Sequence, residues 1–528
     1  MKLIISIALF FSAVVIGEEC KTPNIVFIIA DDLGWNDVSF HGSDQIPTPN
    51  IDLLAYSGVA LGRYYSHAIC TPSRSALLSG KYSHIVGMQG RPLVMTEDRG
   101  IPLNVTLLPE YLREAGYKTH LVGKWHVGSS RNSFLPTNRG FDSHFGHRGG
   151  YMDYYDYTLV DSEKTGFTLF DNLTAAWNVE GYITDVYTSK AKYVIEDHDT
   201  SSPLFLMLAH NAPHSGNDCA LLQAPPKDVR SFGHIESTER RIFAAMVKKV
   251  DDSVGEVVQT LADKGILHNT IIVFVSDNGG MTSGLHVNYA SNYPLRGIKM
   301  SPFEGGVRVA GLIWSTSLKN TCNYWDGYIH VSDWMPTLLS AAGLEVPSDI
   351  DGQSQWDNIN ANGDSSRTVM YEIDDYTGYA SITYGEYKLI TGNVTKAYST
   401  YQGGDLTGII GETPSYIDAI THSPMYSILS TLGLSYDISV RDNMILNCSA
   451  TSTSCYPGNG TVCLYNIMED PCETTDLSHS NADLVTKMQN LLDTEAAKRI
   501  PRVIPVAVDL LALPSLHNYT WAPWIEES

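Results

Sequence analysis

Unbroken apolar runs are the clearest hydrophobic pattern in this chain. Residues 24–30, 204–209 and 271–275 are three such runs, each of strand length and each followed by a polar residue. Strands of this type carry apolar side chains on both faces, as the strands of a buried parallel sheet do. Residues 119–122 are a shorter candidate strand. We therefore predict a mostly parallel sheet at the centre of the molecule.

Helical periodicity appears between these strands. Over residues 237–261 the apolar positions recur every three or four residues, which predicts one long helix with a single core-facing stripe. Strands that alternate with helices predict an α/β fold, in which helices cover both faces of the sheet.

The last third of the chain has a different pattern. Residues 368–391 are typical of antiparallel strands, and residues 481–497 of one helix. The polar stretch 358–366 is the predicted linker. A chain of 528 residues exceeds one ordinary core, so we expect a large domain over 18–365 and a smaller domain over 366–528.

Acidic and amide side chains follow two of the predicted strands. Asp31 and Asp32 come directly after the first strand, and Asp277 and Asn278 follow the run at 271–275. The carboxyl ends of parallel strands meet at one edge of the sheet, where ligands bind in open α/β folds. An all-oxygen set of this kind suits a hard cation, Ca²⁺ or Mg²⁺. The alternative for each pair alone is a turn or a helix cap.

Basic residues follow the other strands. Lys124 and His126 come after the strand at 119–122, and His214 comes shortly after the run at 204–209. His210 is the nearer competitor of His214, and its distance from the strand end makes it less suitable. Lys299 lies in a later basic stretch. Fixed cations and a proton donor are what an anionic ester and its departing alcohol require.

The pentapeptide Cys70-Thr71-Pro72-Ser73-Arg74, with the following 75–81, resembles the signature of the type I sulfatases. The alternative is a buried structural cysteine before a helix that starts with proline. Three further segments resemble the family, namely Gly-Lys-Trp-His at 123–126, Leu-Arg-Gly-Ile-Lys at 295–299 and Glu-Gly-Gly-Val-Arg at 304–308. The resemblance extends from about residue 23 to residue 524 and is greatest to the arylsulfatase B, I and J group.

This resemblance implies a fold, a chemistry and a set of roles. The fold would be alkaline-phosphatase-like, a mostly parallel sheet sandwiched by helices, with a smaller C-terminal domain of antiparallel sheet plus helix. A formylglycine-generating enzyme would oxidise Cys70 to formylglycine, whose hydrated form carries two hydroxyls. One hydroxyl would attack the sulfur of a sulfate ester, and the other would later expel the sulfate.

Family knowledge also implies a role for each matched side chain. Residue 70 would be the nucleophile, Arg74 and Lys124 would fix it, and His126 would be its base. His214 and Lys299 would hold the sulfate and assist the leaving oxygen. One Ca²⁺, with Mg²⁺ as the alternative, would be bound by Asp31, Asp32, Cys70, Asp277 and Asn278.

Two other functions remain open at this point. The first is a phosphatase or phosphonate hydrolase of the same superfamily, but relatives of that kind with zinc use Ser or Thr with His-rich ligands, and this chain offers an Asp and Asn set. The second is a non-catalytic binder of sulfated glycans, in which Cys70 stays unmodified. The state of residue 70 distinguishes the sulfatase from the binder.

The substrate implied by the resemblance is a sulfated sugar of the N-acetylgalactosamine 4-sulfate type. Loops around the sulfate pocket would select the sugar. The candidates are 149–155, whose tyrosines could stack on a pyranose or be ordinary core residues, and 281–293. Residues 399–446, rich in Gly, Tyr and Ser with weak periodicity, are predicted to be a long loop near the cleft.

The charge of the chain limits its partners. It has 58 Asp and Glu against 35 Lys and Arg, a net charge of −23. Nucleic acid binding requires clustered Lys and Arg, so we expect no nucleic acid partner. A polyanionic substrate must instead be drawn into a local basic pocket.

The N-terminus and the sequons predict the secretory route. Residues 1–17 have the features of a signal peptide, with a basic start and an apolar core too short to span a bilayer. The alternative is an uncleaved anchor, and no later segment is long and apolar enough to span. Six N-x-S/T sequons predict a glycoprotein that is lysosomal or secreted, namely those at Asn104, Asn172, Asn393, Asn447, Asn459 and Asn518.

Eight cysteines are present, four of them within residues 448–472. We expect disulfides on the secretory route, and a zinc site is the alternative. The resemblance implies the pair Cys463–Cys472, and proximity favours Cys448–Cys455. Three pairings of four cysteines are open.

Overall fold

The computed structural model describes residues 22–400, 408–448, 455–502 and 508–526. The predicted signal peptide at 1–17 lies outside the described residues, as does Cys20. No helix among the residues described is long and apolar enough to cross a membrane.

Sixteen strands and thirteen α-helices make up the described structure. The strands are β1 (Asn24–Ala30), β2 (Val59–Tyr65), β3 (Lys118–Gly123), β4 (Ser143–His147), β5 (Thr158–Asp161), β6 (Lys164–Phe167), β7 (Leu169–Asp171), β8 (Thr174–Ala175), β9 (Leu204–Ala209), β10 (Thr270–Ser276), β11 (Gly311–Trp314), β12 (Asn323–His330), β13 (Val369–Asp374), β14 (Tyr379–Tyr384), β15 (Tyr387–Gly392) and β16 (Cys463–Asn466). The helices are α1 (Pro49–Ser57), α2 (Cys70–Ser79), α3 (Leu108–Glu114), α4 (Ile183–Asp197), α5 (Pro226–Arg230), α6 (Thr238–Asp263), α7 (Glu304–Val307), α8 (Trp334–Ala341), α9 (Trp356–Ala361), α10 (Tyr416–Thr421), α11 (Pro424–Leu432), α12 (Val440–Met444) and α13 (Ala482–Ala496).

Ten strands form the large sheet, in the order β12-β2-β11-β10-β1-β9-β3-β4-β7-β8. Its centre is parallel, since β1 pairs in parallel with β10 and β9, and β3 pairs in parallel with β9 and β4. The antiparallel pairs lie further out, at β10–β11, β11–β2, β4–β7 and β7–β8. The runs that predict buried parallel strands are therefore confirmed as the middle of the sheet.

Helices cover both faces of this sheet, as predicted. Along β1, Val26 and Ile28 point into one buried cluster, which contains the apolar stripes of α1, α4 and α6. Ile25 and Phe27 point into the opposite cluster, which contains residues of α2, α3 and α8. The strand is apolar throughout because each face is buried against a different helical layer.

A second, antiparallel sheet follows, in the order β13-β14-β15-β16. Helix α13 packs on one of its faces, where Met488 and Leu492 meet Ile382 and Leu389. The predicted smaller sheet plus helix is thus present. The predicted linker 358–366 is partly helical, because its first residues belong to α9.

The prediction of a long loop over 399–446 is wrong. The described part contains α10, α11 and α12. Their buried side chains, Ile420, Met425, Leu429 and Val440 among them, join the cluster beneath α1 and α6. Short helices with so few apolar positions give a weak periodic signal, which explains the error.

The predicted disulfide pairing is also wrong. The bonds join Cys448 to Cys472 and Cys455 to Cys463. A tight turn reverses the chain between Gly458 and Thr461, whose backbones exchange hydrogen bonds. This turn brings Cys455 beside Cys463 at the start of β16, so proximity in sequence selected the wrong partner.

Candidate active site

The ends of β1 and β10 bring the predicted acidic residues together. These strands run in parallel with Ala30 opposite Ser276, so the residues that follow them meet. The backbone N–H of Asp32 donates to Oδ1 of Asp277 at 3.2 Å. Asp32 has a φ of 61°. A left-handed backbone is costly for Asp, and such strain is concentrated at functional sites.

Three oxygens of this group have no hydrogen-bond donor among the described residues. They are Oδ1 of Asp31, Oδ2 of Asp32 and Oδ1 of Asn278, and all are buried. Burying an oxygen acceptor without a partner is costly, so these atoms fit a bound cation. Burial raises the pKa of Asp277, and the charge of Asp31 adds to this rise while Arg74 opposes it. An all-oxygen donor set fits Ca²⁺ or Mg²⁺.

Cys70 is the first residue of α2 and is buried. Its sulfur lies 3.3 Å from Nδ1 of His126. Burial raises the pKa of the Cys70 thiol, and the positive charges of Lys124 and Lys299 act against this rise. Residue 70 is therefore surrounded by the predicted basic groups.

Arg74 and Lys124 connect this helix to the acids. Nε and Nη2 of Arg74 donate to Oδ2 of Asp277 at 3.0 and 2.8 Å. Nζ of Lys124 donates to Oδ2 of Asp31 at 2.6 Å. Lys124 follows Gly123, which has a φ of 111° and whose missing Cβ would lie 1.8 Å from the carbonyl oxygen of Ala209. Only glycine allows this close approach between β3 and β9.

His126 is held as a neutral imidazole. Its Nε2 lies 2.9 Å from the carbonyl oxygen of Leu93. A carbonyl can only accept, so Nε2 carries the proton and Nδ1 presents its lone pair to Cys70. Burial, followed by the charge of Lys124, holds the pKa of His126 well below its usual range.

His214 and Lys299 approach Asp32 from the other side. Nδ1 of His214 donates to the carbonyl oxygen of Ser215 at 2.7 Å, and Nε2 lies 3.4 Å from Oδ2 of Asp32. Burial, and then Lys299, holds the pKa of His214 well below its usual range. Nζ of Lys299 donates to Oδ1 of Asp32 at 2.5 Å. Burial alone would lower the pKa of Lys299, but the charge of Asp32 raises it above its usual range.

The structure thus brings every sequence-predicted site residue into one cluster, and their roles remain predictions. Asp31, Asp32 and His214 place one ligand atom each within 4.8 Å of one another, so His214 also lies close to the candidate cation site. His210 points elsewhere and contacts Ser253 at 3.0 Å.

Several functional contacts escape sequence reasoning. The Leu93 carbonyl comes from a loop without a motif. Asn288 is buried, and its Nδ2 donates to the backbone oxygens of Asp32 and Pro213 at 2.9 and 3.1 Å, which joins the two loops of the site. A buried asparagine in a polar loop gives no signal that distinguishes it from a turn residue.

The tyrosines of 149–155 differ from the predicted sugar platform. Tyr154 is fully buried, and its hydroxyl donates to the carbonyl oxygen of His214 at 2.6 Å. The platform prediction is therefore wrong for Tyr154. Tyr151 stacks on the ring of His214, with centroids 5.6 Å apart, and the ring of His286 lies 4.7 Å from Tyr151. His286, from the predicted loop 281–293, is half-buried, with 27% of its side chain exposed.

The sequence of this chain is similar to those of known sulfatases. Residues 23–344 match the Sulfatase family. The chain is 35% identical over 530 residues to Arylsulfatase J of Mus musculus, covering 96% of this chain and 81% of that protein. It is 30% identical over 416 residues to N-acetylgalactosamine-6-sulfatase of Homo sapiens, covering 73% of this chain and 74% of that protein.

A solved structure agrees with these relatives. The fold is similar to that of Ps i-CgsB in complex with k-i-k-neocarrahexaose, with a TM-score of 0.73 and 29% identity, covering 91% of this chain and 94% of that one. The fold and the site define a hydrolase of anionic esters. The chain belongs to the sulfatase family and is a sulfuric ester hydrolase.

Proposed function

We propose that this sulfatase hydrolyses sulfate esters of a sulfated carbohydrate with a formylglycine derived from Cys70 and one bound Ca²⁺, with Mg²⁺ as the alternative cation. The observation that carries the proposal is the position of residue 70. It lies 3.3 Å from an unprotonated histidine nitrogen, in the same cluster as three buried oxygens without a donor among the described residues.

Asp31, Asp32, Asp277, Asn278 and residue 70 would hold the cation. When bound, the cation would supply positive charge that neutralises the sulfate. Three of these residues, Asp31, Asp32 and Asn278, fit this task because each has an unpartnered oxygen. Lys124 holds the other carboxylate oxygen of Asp31, and Lys299 holds that of Asp32. Each carboxylate therefore keeps one oxygen free for the cation.

Formylglycine at position 70 would supply a hydroxyl oxygen that attacks the sulfur. His126 is placed to accept the proton of that hydroxyl at Nδ1, because its Nε2 proton is already held by Leu93. Arg74 and Lys124 would fix the residue, and each is itself held by an acid, Arg74 by Asp277 and Lys124 by Asp31. Their positive charges also offset the negative charge of the sulfate.

His214 and Lys299 would act on the sulfate and the leaving oxygen. Lys299 remains an ammonium because Asp32 raises its pKa, so it offers a fixed positive charge. His214 has its Nδ1 proton on Ser215, which leaves Nε2 directed into the site. In this neutral form Nε2 carries no proton, so His214 would protonate the departing oxygen only after Nε2 takes up a proton, which the charge of the bound sulfate would favour.

The carbohydrate substrate is supported by relatives. Human N-acetylgalactosamine-6-sulfatase is named for a sulfated amino sugar, and the structure of Ps i-CgsB holds a neocarrahexaose. The finer prediction is a sugar of the N-acetylgalactosamine 4-sulfate type. A phosphatase of zinc type is less well supported, because the unpartnered donor atoms of the candidate cation site, among the described residues, are oxygens of Asp31, Asp32 and Asn278.

Passage through the secretory pathway is part of the proposal. Two disulfides are present, and the asparagines of all six sequons are exposed. Cys70 would meet the formylglycine-generating enzyme on this route, and the mature protein would be lysosomal or secreted. The proposed large domain at 18–365 would carry all the catalytic residues. The proposed smaller domain at 366–528 would carry none of them.

The test is release of sulfate from an aryl sulfate and from a sulfated N-acetylgalactosamine oligosaccharide. We expect the parent protein to hydrolyse both. The Cys70→Ala variant should fold and be secreted, but its turnover should be lower by roughly a thousandfold or more. Parent-like turnover by Cys70→Ala would refute the role of residue 70. Hydrolysis of the aryl sulfate alone would refute only the carbohydrate substrate.

A further inference from the structure

The loop 66–69, which leads into Cys70, is fixed on one side by the large-sheet part of the chain. The backbone N–H of Ser66 donates to the carbonyl oxygen of Val307 at 2.8 Å. The N–H of Met300, next to Lys299, donates to the carbonyl oxygen of Ala68 at 2.9 Å. One side of this loop is therefore tied to the same segment that carries Lys299.

The other side of the loop contacts the second sheet. Oε2 of Glu372, in β13, lies 2.5 Å from Nδ1 of His67. Oε1 of the same carboxylate accepts from the N–H of Ala68 at 3.4 Å. The carbonyl oxygen of His67 accepts from Oγ of Ser73, in the first turn of α2, at 3.1 Å. One carboxylate thus contacts two successive residues just before the nucleophile.

Apolar packing places the second sheet directly behind residue 70. Met370 lies two positions before Glu372, on the same face of β13. It shares one buried cluster with Ala68, Ile69 and Cys70, and this cluster also contains Ile390 of β15. The second sheet therefore packs directly against the loop 66–69 and residue 70.

Among the described contacts, His67 is the basic side chain that pairs with Glu372. The ring of His330 lies 5.1 Å from that of His67, and the ring of Tyr82 lies 6.5 Å away. Lys388 lines the same small cavity of about 20 Å³ as Glu372. Its ammonium, however, is paired with Glu304 and Glu473 at 2.9 and 3.1 Å.

We propose that Glu372 is a positioning residue for the nucleophile, acting through His67 and the N–H of Ala68. The second sheet would then serve the reaction itself, because it sets the place of residue 70 relative to His126 and Asp31. This inference rests on the proposed function, since it takes residue 70 to be the nucleophile. A shift of about 1 Å in such a group can slow a reaction roughly a hundredfold.

The experiment compares Glu372→Ala, Glu372→Gln, His67→Ala and the double Ala variant with the parent. The matched control is Asp374→Asn, on the same strand, whose buried carboxylate accepts only from its own turn in the described contacts, at Tyr376 and Thr377. Turnover of an aryl sulfate is measured and divided by the aldehyde content at residue 70. Thermal unfolding is recorded for each variant.

We expect Glu372→Ala and His67→Ala each to lower kcat by about tenfold to a hundredfold with KM changed by less than about twofold. Glu372→Gln should retain part of kcat, because one acceptor oxygen remains. The double variant should be no slower than Glu372→Ala, because that variant already removes the contact with His67. Asp374→Asn should keep the parent kcat even if its unfolding temperature falls.

Two results would overturn the positioning role. One is a parent-like kcat per aldehyde in Glu372→Ala or, where that variant does not fold, in His67→Ala and Glu372→Gln. The other is a rise in KM at unchanged kcat. A parent protein that contains the aldehyde and hydrolyses the ester would leave the proposed function intact in both cases. A parent without aldehyde would overturn the proposed function and this inference together.

Discussion

Nδ1 of His126 lies 3.3 Å from the sulfur of Cys70, and Nε2 of the same ring lies 2.9 Å from the carbonyl oxygen of Leu93. The second contact determines the tautomer, so the first presents a lone pair to residue 70. His126 has a φ of 59°, a costly conformation that directs its ring at this residue. An oxygen nucleophile at position 70 would therefore meet a base that is already deprotonated.

The Cys70→Ser variant tests what the second hydroxyl contributes. A serine hydroxyl can lose its proton to His126 and attack sulfur, which forms a sulfated serine and releases the alcohol. It has no second hydroxyl to expel the sulfate, so we expect at most one alcohol released per protein molecule. Intact-mass measurement should then show one added sulfo group. Steady turnover comparable to that of the parent would contradict the mechanism.

The cation prediction concerns Asp31, whose Oδ1 has no donor among the described residues. Asp31→Asn removes one charge, so we expect calcium affinity to fall by more than about tenfold and activity to recover partly with excess Ca²⁺. Elemental analysis and calcium-dependent thermal unfolding are the measurements. Asp199→Asn is the control, because it removes the same charge from an exposed carboxylate just after α4. Stoichiometric zinc without calcium or magnesium would refute the assignment.

The prediction on sugar recognition assigns different roles to the neighbouring rings of Tyr151 and His286. Tyr151 packs on His214, so Tyr151→Ala should slow hydrolysis of the aryl sulfate and of the sulfated oligosaccharide to the same extent, by roughly tenfold. His286 lies further out, with its ring centroid 6.4 Å from that of His214. His286→Ala should therefore slow hydrolysis of the oligosaccharide at least about tenfold more than hydrolysis of the aryl sulfate. Equal losses on both substrates would exclude His286 from sugar recognition.

The pH prediction uses His210, whose burial lowers its pKa to about 3. Below about pH 6.5 the unfolded chain protonates this histidine while the folded chain does not, so the parent loses stability as the pH falls. The stability cost of His210→Gln measured at pH 7.5 should therefore shrink by about 2 kcal/mol at pH 5. Denaturant unfolding at the two pH values gives this difference. A cost that is independent of pH would contradict a neutral buried His210.

Much of the central sheet could be predicted from the sequence, because β1, β9 and β10 are continuous apolar runs and parallel strands place their ends together. Asp31 and Asp277 are neighbours for this reason. The contact between Glu372 and His67 could not be predicted, since it depends on how two sheets pack across about three hundred residues. The disulfide partners of Cys455 and Cys472 could not be predicted either, because they depend on a turn at 458–461 that reverses the chain.

Conversion of Cys70 to formylglycine can be read directly by mass spectrometry of the peptide that spans residue 70. The protein should be purified from a secretory expression host, digested, and analysed with and without an aldehyde-reactive probe. We expect a peptide in which the thiol is replaced by an aldehyde that reacts with the probe. An intact thiol at residue 70 throughout the purified protein would contradict it.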